Sequence, residues 1–253
     1  MSRGYRLGLI VPSSNVTMET ELPELFRRRE AIAPERFTFH SARMRMTTVT
    51  PEALAAMDEQ GVRCAMELAD AECDALAYAC LVAVMAAGPG AHRRAESRLA
   101  AAAGTGTPAV TSAGALIRAA QVLGVQRIAM IAPYAPALTD RVVAYLDDCG
   151  IDVVSVLSLG VTDNCAVGRL DPAGLLGLID RLDLDRAEAL VLSACVQMPS
   201  LASIEPAQER VGLPVFTAAT ATARALLDAL QLDPRIPGAG ALLAGQEALA
   251  AGR

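Results

Sequence analysis

Two cysteines lie where two apolar segments end, and their thiols are the side chains of this sequence best suited to chemistry. Cys80 closes the segment 75–80, and Cys195 follows the segment 189–194. A thiolate is a strong nucleophile and a usable base, while a thiol is a usable acid. A substrate held between two such groups can be attacked or deprotonated on one side and protonated on the other. The pair therefore predicts an isomerase-type reaction that requires no metal, histidine or organic cofactor.

The elements that must position these thiols alternate along the chain. Short apolar segments separated by helical patterns are typical of an α/β protein whose parallel sheet is covered on both faces. We predict strands at residues 6–11, 37–42, 75–80, 109–112, 127–132, 152–157, 189–194 and 215–218. We predict helices at residues 51–69, 113–123, 138–149, 172–182 and 220–230. Thr50 and Pro51 suit the start of the first helix, and Gly124 and Gly150 follow the ends of two others.

Three segments of the first part of the chain recur in the second part in the same order. Residues 6–12 resemble 127–133, residues 75–80 resemble 190–195, and residues 108–113 resemble 214–219. Any two α/β units share some of this pattern, but the conserved order favours a diverged duplication.

The duplication predicts two pseudo-symmetric, doubly wound parallel-sheet (Rossmann-like) α/β halves with the active site in the cleft between them. The first half is expected to comprise residues 1–114 plus a returning C-terminal segment of about residues 220–253. The second half is expected to comprise residues 115–219.

Ligands of open parallel sheets bind beyond the carboxyl ends of the strands, so the residues there are the candidates for the site. Asn15 follows the first strand and Tyr134 follows the fifth. Equivalent edges of the two halves thus carry Asn15 with Cys80 and Tyr134 with Cys195. If the halves face each other, the two thiols meet across one cleft. A helix beginning after each cysteine is expected to lower the pKa of its thiol.

Structural roles compete with these functional ones. A cysteine at a strand end is more often an inert, buried, small apolar residue. Asn15 is also suited to cap a helix, and Tyr134 to pack at a helix start. Arg43 and Arg45 follow the second strand, where they either attract an anion or are simply solvated. We expect structural or bystander roles for the other cysteines, packing around the cleft for four methionines, and no role for the histidines: Cys64, Cys73, Cys149, Cys165, then Met44, Met46, Met85, Met198, then His40 and His92.

Composition excludes several classes of function. The chain has 253 residues, is 53% hydrophobic and carries a net charge of −6, which disfavours nucleic-acid and anionic-membrane binding. It contains no lysine, so a pyridoxal Schiff base, a lysine nucleophile and a Walker-type phosphate loop are excluded. No G-x-G-x-x-G follows the first strand, and no clustered ligands favour a zinc site.

The sequence also predicts where the protein works. The start, Met1 to Tyr5, has no apolar stretch typical of a signal peptide, and no apolar segment has the length of a membrane span. We expect a cytoplasmic protein, in which the cysteines are thiols rather than disulfides.

Several strings resemble maleate cis–trans isomerase, a family of the aspartate/glutamate racemase superfamily. The paired cysteine motifs mark the superfamily. The string Y-A-C-L-V at 78–82 also carries the resemblance, and the strings P-S-S-N at 12–15 and A-C-V-Q-M-P-S at 194–200 are narrower and point to maleate isomerase and its near relatives. The resemblance runs from about residue 4 to about residue 230.

The resemblance implies a mechanism without a cofactor. Cys80 would add as a thiolate to an olefinic carbon of maleate, and Cys195 would donate and accept a proton at the other carbon. The side chains of Asn15, Tyr134 and Asn164 and the backbone N–H groups of Leu81, Val82 and Val196 would hold the substrate. A homodimer, fumarate as product and a place in the breakdown of nicotinate-like rings are further expectations of the family.

Three other functions remain open on the sequence. An amino-acid racemase would use the same thiols as acid and base, but no obvious carboxylate is available for the substrate ammonium, although Asp163 is near. Arylmalonate decarboxylase has a similar fold but keeps only the second-half cysteine, and Cys80 argues against it. A non-catalytic small-molecule binding protein would tolerate the loss of both cysteines.

Overall fold

The computed structural model describes residues 4–104 and 106–245. The prediction for the chain start concerns Met1–Tyr5, of which residues 1–3 lie outside the described residues. The predicted C-terminal segment also extends past residue 245, beyond the described part.

Within these described residues, eight parallel strands form two four-stranded sheets. The strands are β1 (Gly4–Pro12), β2 (Arg36–Met44), β3 (Ala75–Tyr78), β4 (Ala109–Thr111), β5 (Arg127–Ala132), β6 (Asp152–Ser158), β7 (Ala189–Ser193) and β8 (Val215–Thr217). The order is β2-β1-β3-β4 in one sheet and β6-β5-β7-β8 in the other. Both sheets therefore have the same topology, as the recurring segments predicted, and the α/β fold class with two parallel sheets is confirmed.

The central strands are buried on both faces because helices cover the sheets. The helices are α1 (Met18–Glu30), α2 (Pro51–Asp58), α3 (Gly61–Asp70), α4 (Leu81–Ala86), α5 (Ala91–Ala103), α6 (Ser112–Leu123), α7 (Pro136–Asp147), α8 (Asn164–Val167), α9 (Gly174–Leu178), α10 (Ile204–Val211) and α11 (Ala218–Ala229). In β1, every residue from Leu7 to Pro12 is buried, and so is every residue of β3 and β7.

Two of the predicted helices differ from those observed. The pattern at 51–69 predicted one helix, but the chain bends between α2 and α3 at Gln60 and Gly61. Glycine is a poor helix former, and the Gln60 side chain fixes the bend by accepting a hydrogen bond from the Arg45 N–H at 3.0 Å. The helix predicted at 172–182 is only the five-residue α9 followed by a 3₁₀ turn.

Helices α5, α8 and α10 were absent from the prediction. Helices α1 and α4 had no predicted bounds, although a helix capped by Asn15 and one beginning after Cys80 were expected. The predicted boundaries at Thr50 and Gly124 are confirmed. The Thr50 hydroxyl accepts the Ala53 N–H at 3.3 Å, and Gly124 ends α6 at a positive φ of 71°. The helix predicted at 138–149 is α7, which ends two residues before Cys149, ahead of Gly150.

The last long helix returns to the first sheet. Helix α11 packs against α1, α6, β3 and β4, and the Thr222 hydroxyl donates a 3.0 Å hydrogen bond to the Ser112 hydroxyl. The division into residues 1–114 with about 220–253, and 115–219, stays a prediction.

Helix α1 of the first half holds the loop that follows Cys195 in the second half. The Glu21 carboxylate accepts the N–H groups of Ser200 at 2.6 Å and Leu201 at 2.7 Å. Burial raises the pKa of Glu21 and outweighs the lowering by these two N–H groups. The loop is therefore held by a carboxylate whose desolvation is unfavourable. Removing that carboxylate would leave the two N–H groups without an acceptor.

Within the described ranges, no helix is long and apolar enough to cross a membrane. In the same part of the chain, no group of three or more histidine, cysteine, aspartate and glutamate side chains is arranged to hold a metal ion.

Glu21→Ala is expected to lower the free energy of unfolding by about 2 kcal/mol, because it leaves two buried N–H groups without a partner. Glu24→Ala, on the exposed side of α1, removes only surface ion pairs and is the matched control, with a change of about 1 kcal/mol or less. Urea unfolding followed by circular dichroism measures both. Equal losses in the two variants would contradict this role of Glu21.

Candidate active site

The carboxyl ends of the two sheets enclose a small shared cavity. All eight residues predicted for the site line it: Asn15, Cys80, Leu81, Val82, Tyr134, Asn164, Cys195 and Val196. Its volume is about 20 Å³, which is room for about one water molecule. A larger ligand therefore requires the lining side chains to move apart. The structure thus brings together residues that lie up to 181 positions apart in the chain (Asn15 to Val196).

Cys80 lies between the end of β3 and the start of α4. It is 5% exposed and occupies the N-cap position of that six-residue helix. Leu81 and Val82 are the first residues of α4, so their N–H groups have no acceptor within the helix. The short connection from strand to helix thus directs backbone donors toward the cavity beside the thiol.

Cys195 lies in a turn after β7. The Ser193 hydroxyl donates to the Cys195 carbonyl at 2.8 Å, which closes the turn. The N–H of Gln197 points back to the Cys195 Sγ at 3.4 Å. The next long helix, α10, begins only at Ile204, so the expectation of a helix directly after each cysteine is wrong for Cys195.

Both thiols are harder to ionise than a free cysteine. Burial raises the pKa of Cys80 to about 12, against a smaller lowering by the Ala83 N–H. Burial also raises the pKa of Cys195, against lowering by the Tyr134 hydroxyl and the backbone N–H groups of Gln197 and Met198. The expectation that helix starts lower the pKa is wrong for the net shift, because desolvation of the thiolate outweighs the backbone donors.

Tyr134 contributes a neutral hydroxyl. Its ring is 3% exposed, and its O–H donates to the Ala194 carbonyl at 2.9 Å. Burial raises the pKa of Tyr134 well above its usual value, and the neighbouring Cys195 raises it further. Tyr134 therefore keeps its proton, and it can donate that proton to a ligand beside the second thiol when the hydroxyl turns away from the Ala194 carbonyl.

Two buried amides come from opposite halves. The Asn15 Oδ1 accepts the Met18 N–H at 3.1 Å, so this residue caps α1 as the sequence suggested. The Asn164 Nδ2 donates to the Ser14 hydroxyl at 2.8 Å, and that hydroxyl donates to the Met46 carbonyl at 2.6 Å. Each amide nitrogen carries two N–H groups, so Asn164 retains one for a ligand. Asn15 lines the cavity as well, and its bond to Met18 uses the amide oxygen and not the amide nitrogen.

Five further residues complete the lining and were not among the predicted site residues: Pro12, Met46, Val49, Ala79 and Gln197. Met46 and Val49 belong to the segment after β2, which pairs with the chain just before Asn164 through the Thr48–Asp163 bridge. Periodicity carries no signal for this contact. For Gln197 the signal is its place in the loop directly after Cys195.

The remaining candidates lie elsewhere. Arg43 forms an ion pair with Glu19 and donates to the Asn15 carbonyl at 3.1 Å, so it braces the loop rather than lining the cavity. The Arg45 N–H is bound by Gln60. His92 is buried, and its Nδ1 lies 2.7 Å from the Tyr145 hydroxyl oxygen. The His40 Nε2 lies 3.0 Å from the Thr38 hydroxyl oxygen. The other thiols are buried, half-buried or exposed away from the cavity: Cys64, Cys73, Cys149 and Cys165.

Comparison with known proteins finds relatives over nearly the whole chain. A family model described as arylmalonate decarboxylase matches residues 7–243. The maleate isomerase of Geobacillus stearothermophilus is 51% identical over 97% of this chain and 100% of its own length. A crystal structure of a Pseudomonas putida maleate isomerase, a cysteine-to-alanine variant with maleate, matches with a TM-score of 0.95 and 49% identity over 96% of this chain and 98% of that one.

A solved structure of the Nocardia farcinica maleate cis–trans isomerase also matches, with a TM-score of 0.91 and 46% identity over 95% of this chain and 98% of that one. It is a cysteine-to-serine variant with a covalently bound succinylcysteine intermediate.

Alkylation of Cys80 by iodoacetamide is expected to accelerate about tenfold for each pH unit from about pH 7 to about pH 10, without levelling off, because only the thiolate reacts and its pKa is raised to about 12. Peptide mass spectrometry after timed quenching follows this one site. The same peptide in the denatured protein should level off near about pH 8.5. A plateau below about pH 9 in the folded protein would contradict the effect of burial.

Proposed function

Because the chain belongs to the maleate isomerases of the arylmalonate decarboxylase family, we propose that it converts maleate to fumarate through a covalent cysteine adduct. The observation that carries the proposal is the meeting of Cys80 and Cys195 in one cavity lined by neutral hydrogen-bond donors. Maleate holds its two carboxylates on the same side of a double bond, and their repulsion favours fumarate as the product.

Cys80 is assigned the nucleophile in this proposal. Its thiolate forms a sulfur–carbon bond with one olefinic carbon, and the electron pair of the double bond passes to the other carbon and its carboxylate. Cys195 donates a proton to that carbon, which gives a succinyl-cysteine. The former double bond is now single and rotates, so covalent addition removes the barrier to twisting it.

The adduct is resolved by the reverse steps. The Cys195 thiolate takes a proton back from the same carbon, the sulfur–carbon bond breaks, and the Cys80 thiolate leaves as fumarate forms. Both thiols return to their starting states, so the cycle consumes no external acid, base or electron. The two cysteines therefore have unequal roles despite their equivalent places in the two halves.

The substrate carboxylates are assigned to Asn15, Tyr134 and Asn164, with the N–H groups of Leu81, Val82 and Val196. Neutral donors of this kind stabilise the charge that develops on the carboxylate during addition. Loss of one such donor costs about 10²–10³ in rate where it has been measured in other enzymes. An arginine clamp would bind the substrate as firmly as the adduct and so would not assist the chemical step.

An amino-acid racemase would use the same two thiols but is less well supported by the cavity. A substrate ammonium requires an acceptor, and no carboxylate is found among the described residues that line the cavity. The nearby Asp163 carboxylate accepts the Cys165 N–H at 2.8 Å instead.

Assembly as a homodimer and a role in degrading nicotinate-like rings rest on the family resemblance, whereas a cytoplasmic location rests on the sequence pattern; all three stay predictions. Light scattering coupled to size-exclusion chromatography measures the first of these. A mass of one chain across the working concentration range would contradict the homodimer.

The purified protein, without added metal or cofactor, is expected to convert maleate to fumarate, which proton NMR resolves by the separate olefinic signals. Cys80→Ala and Cys195→Ala should each abolish turnover, because one removes the nucleophile and the other removes the proton donor. Cys73→Ala, at a buried thiol outside the cavity, is the matched control and should retain turnover.

Racemisation of aspartate without formation of fumarate would overturn the proposed substrate. Turnover retained by Cys80→Ala would overturn the covalent route.

A further inference from the structure

Gln197 bonds to the backbone around Asn15 and Asn164, the two residues whose side-chain amides the proposed function assigns to substrate binding. Its side chain is 2% exposed and lies between the loop after β1 and the start of α8. The Oε1 atom accepts the N–H groups of Val16 at 3.0 Å and Thr17 at 3.2 Å. The Nε2 atom donates to the carbonyls of Ser14 and Asn164, both at 3.0 Å.

The side-chain amide is therefore used to its full capacity. A primary amide offers two donors and an acceptor oxygen with two lone pairs, and all four positions are filled by backbone groups. The main chain of Gln197 is engaged as well: its carbonyl accepts the Thr17 hydroxyl at 2.8 Å, and its N–H points to the Cys195 Sγ at 3.4 Å. The same residue thus contacts the second thiol and both sides of the cavity.

These partners flank the two assigned amides. Ser14 and Val16 are the neighbours of Asn15 in the chain, and Asn164 itself supplies one of the carbonyls. A shift of the Gln197 side chain therefore moves the backbone of Asn15 and of Asn164 together. The Asn164 side chain also joins the two segments, through its 2.8 Å bond to the Ser14 hydroxyl, but among the side-chain amides of the described ranges Gln197 alone bonds to the backbone of both.

The segment that contains Gly168 packs against the Gln197 side chain and restricts such a shift. A Cβ at Gly168 would lie 2.5 Å from the Gln197 Nε2. Gly168 has a φ of −68°, which alanine adopts without strain, so its small size serves the amide and not the backbone turn.

We propose that Gln197 is a positioning residue, which sets the distance between Asn15 and Asn164 and thereby the fit of the two substrate carboxylates. This inference rests on the proposed function. Glutamate cannot replace the glutamine, because its second oxygen would face two carbonyls to which the amide donates. Gly168→Ala tests the same point with all four hydrogen-bonding groups retained.

The experiment measures KM and kcat for maleate in the wild type, Gln197→Glu, Gly168→Ala and the matched control Gln208→Glu. The Gln208 Oε1 accepts the N–H groups of Val215 and Ala241, outside the cavity, and glutamate preserves both bonds. Gln197→Glu and Gly168→Ala should raise KM and lower kcat/KM by about 10²-fold, as expected for a misplacement of about 1 Å. Gln208→Glu should stay within about twofold of the wild type.

KM distinguishes positioning from a purely structural role, because partial unfolding lowers the concentration of active enzyme and leaves KM unchanged. A KM within about twofold of the wild type in either Gln197→Glu or Gly168→Ala would overturn the inference. If Gln197→Glu does not fold, Gly168→Ala decides alone. Absence of turnover in the wild type would overturn the proposed function first, and this inference with it.

Discussion

Two thiols are buried in one cavity, and burial opposes the ionisation that their chemistry requires. The pKa of Cys80 is raised to about 12, and that of Cys195 is raised as well. A cation in the cavity would lower the pKa of the two thiols. It would also stabilise the resting thiolate and reduce its nucleophilicity, which falls as the pKa falls. The lining instead supplies backbone N–H groups, two amides and a phenol, which are neutral. These donors stabilise negative charge where it develops and leave the thiolate reactive once formed.

The same constraint explains why two nearly equivalent halves carry unequal cysteines. The shared topology places both thiols at the carboxyl ends of central strands, as strand-end geometry requires. The connections after them differ: α4 begins directly after Cys80, whereas Cys195 is followed by a turn closed by Ser193 and approached by the Tyr134 hydroxyl. The fold therefore gives the two cysteines equivalent positions, and the different connections after them give the two cysteines different roles.

Contacts between the halves decide how well this arrangement is held. Glu21 fixes the loop after Cys195 against α1, and Gln197 spans the cavity from that same loop. Both are buried polar side chains that bond to backbone groups, so each is satisfied only in one relative placement of the segments. Burying these polar side chains has an unfavourable free energy. Its presence is consistent with a site in which a misplacement of about 1 Å reduces catalysis.

Much of this could be predicted from the sequence, because continuous apolar strands, recurring segments and residues at strand ends are local signals. They indicated the parallel α/β halves and brought Asn15, Cys80, Tyr134 and Cys195 to one cleft. The family resemblance added Asn164, Leu81, Val82 and Val196. The bend at Gln60–Gly61, the net rise in thiol pKa and the contacts of Gln197 were not predicted, because each depends on tertiary neighbours. Desolvation in particular has no counterpart in residue spacing.

The central claim is that Cys80 bonds covalently to the substrate while Cys195 moves the proton. Incubating Cys195→Ser with maleate, followed by intact-mass measurement and peptide mapping, tests it most directly. The serine hydroxyl can supply the proton of the addition but is too weak an acid for its alkoxide to form and remove that proton again, so the adduct accumulates. The account predicts a protein heavier by the mass of one maleic acid, with the added mass on the peptide that contains Cys80 and on no other cysteine. An unmodified protein, or an adduct that also forms in Cys80→Ala/Cys195→Ser, would contradict it.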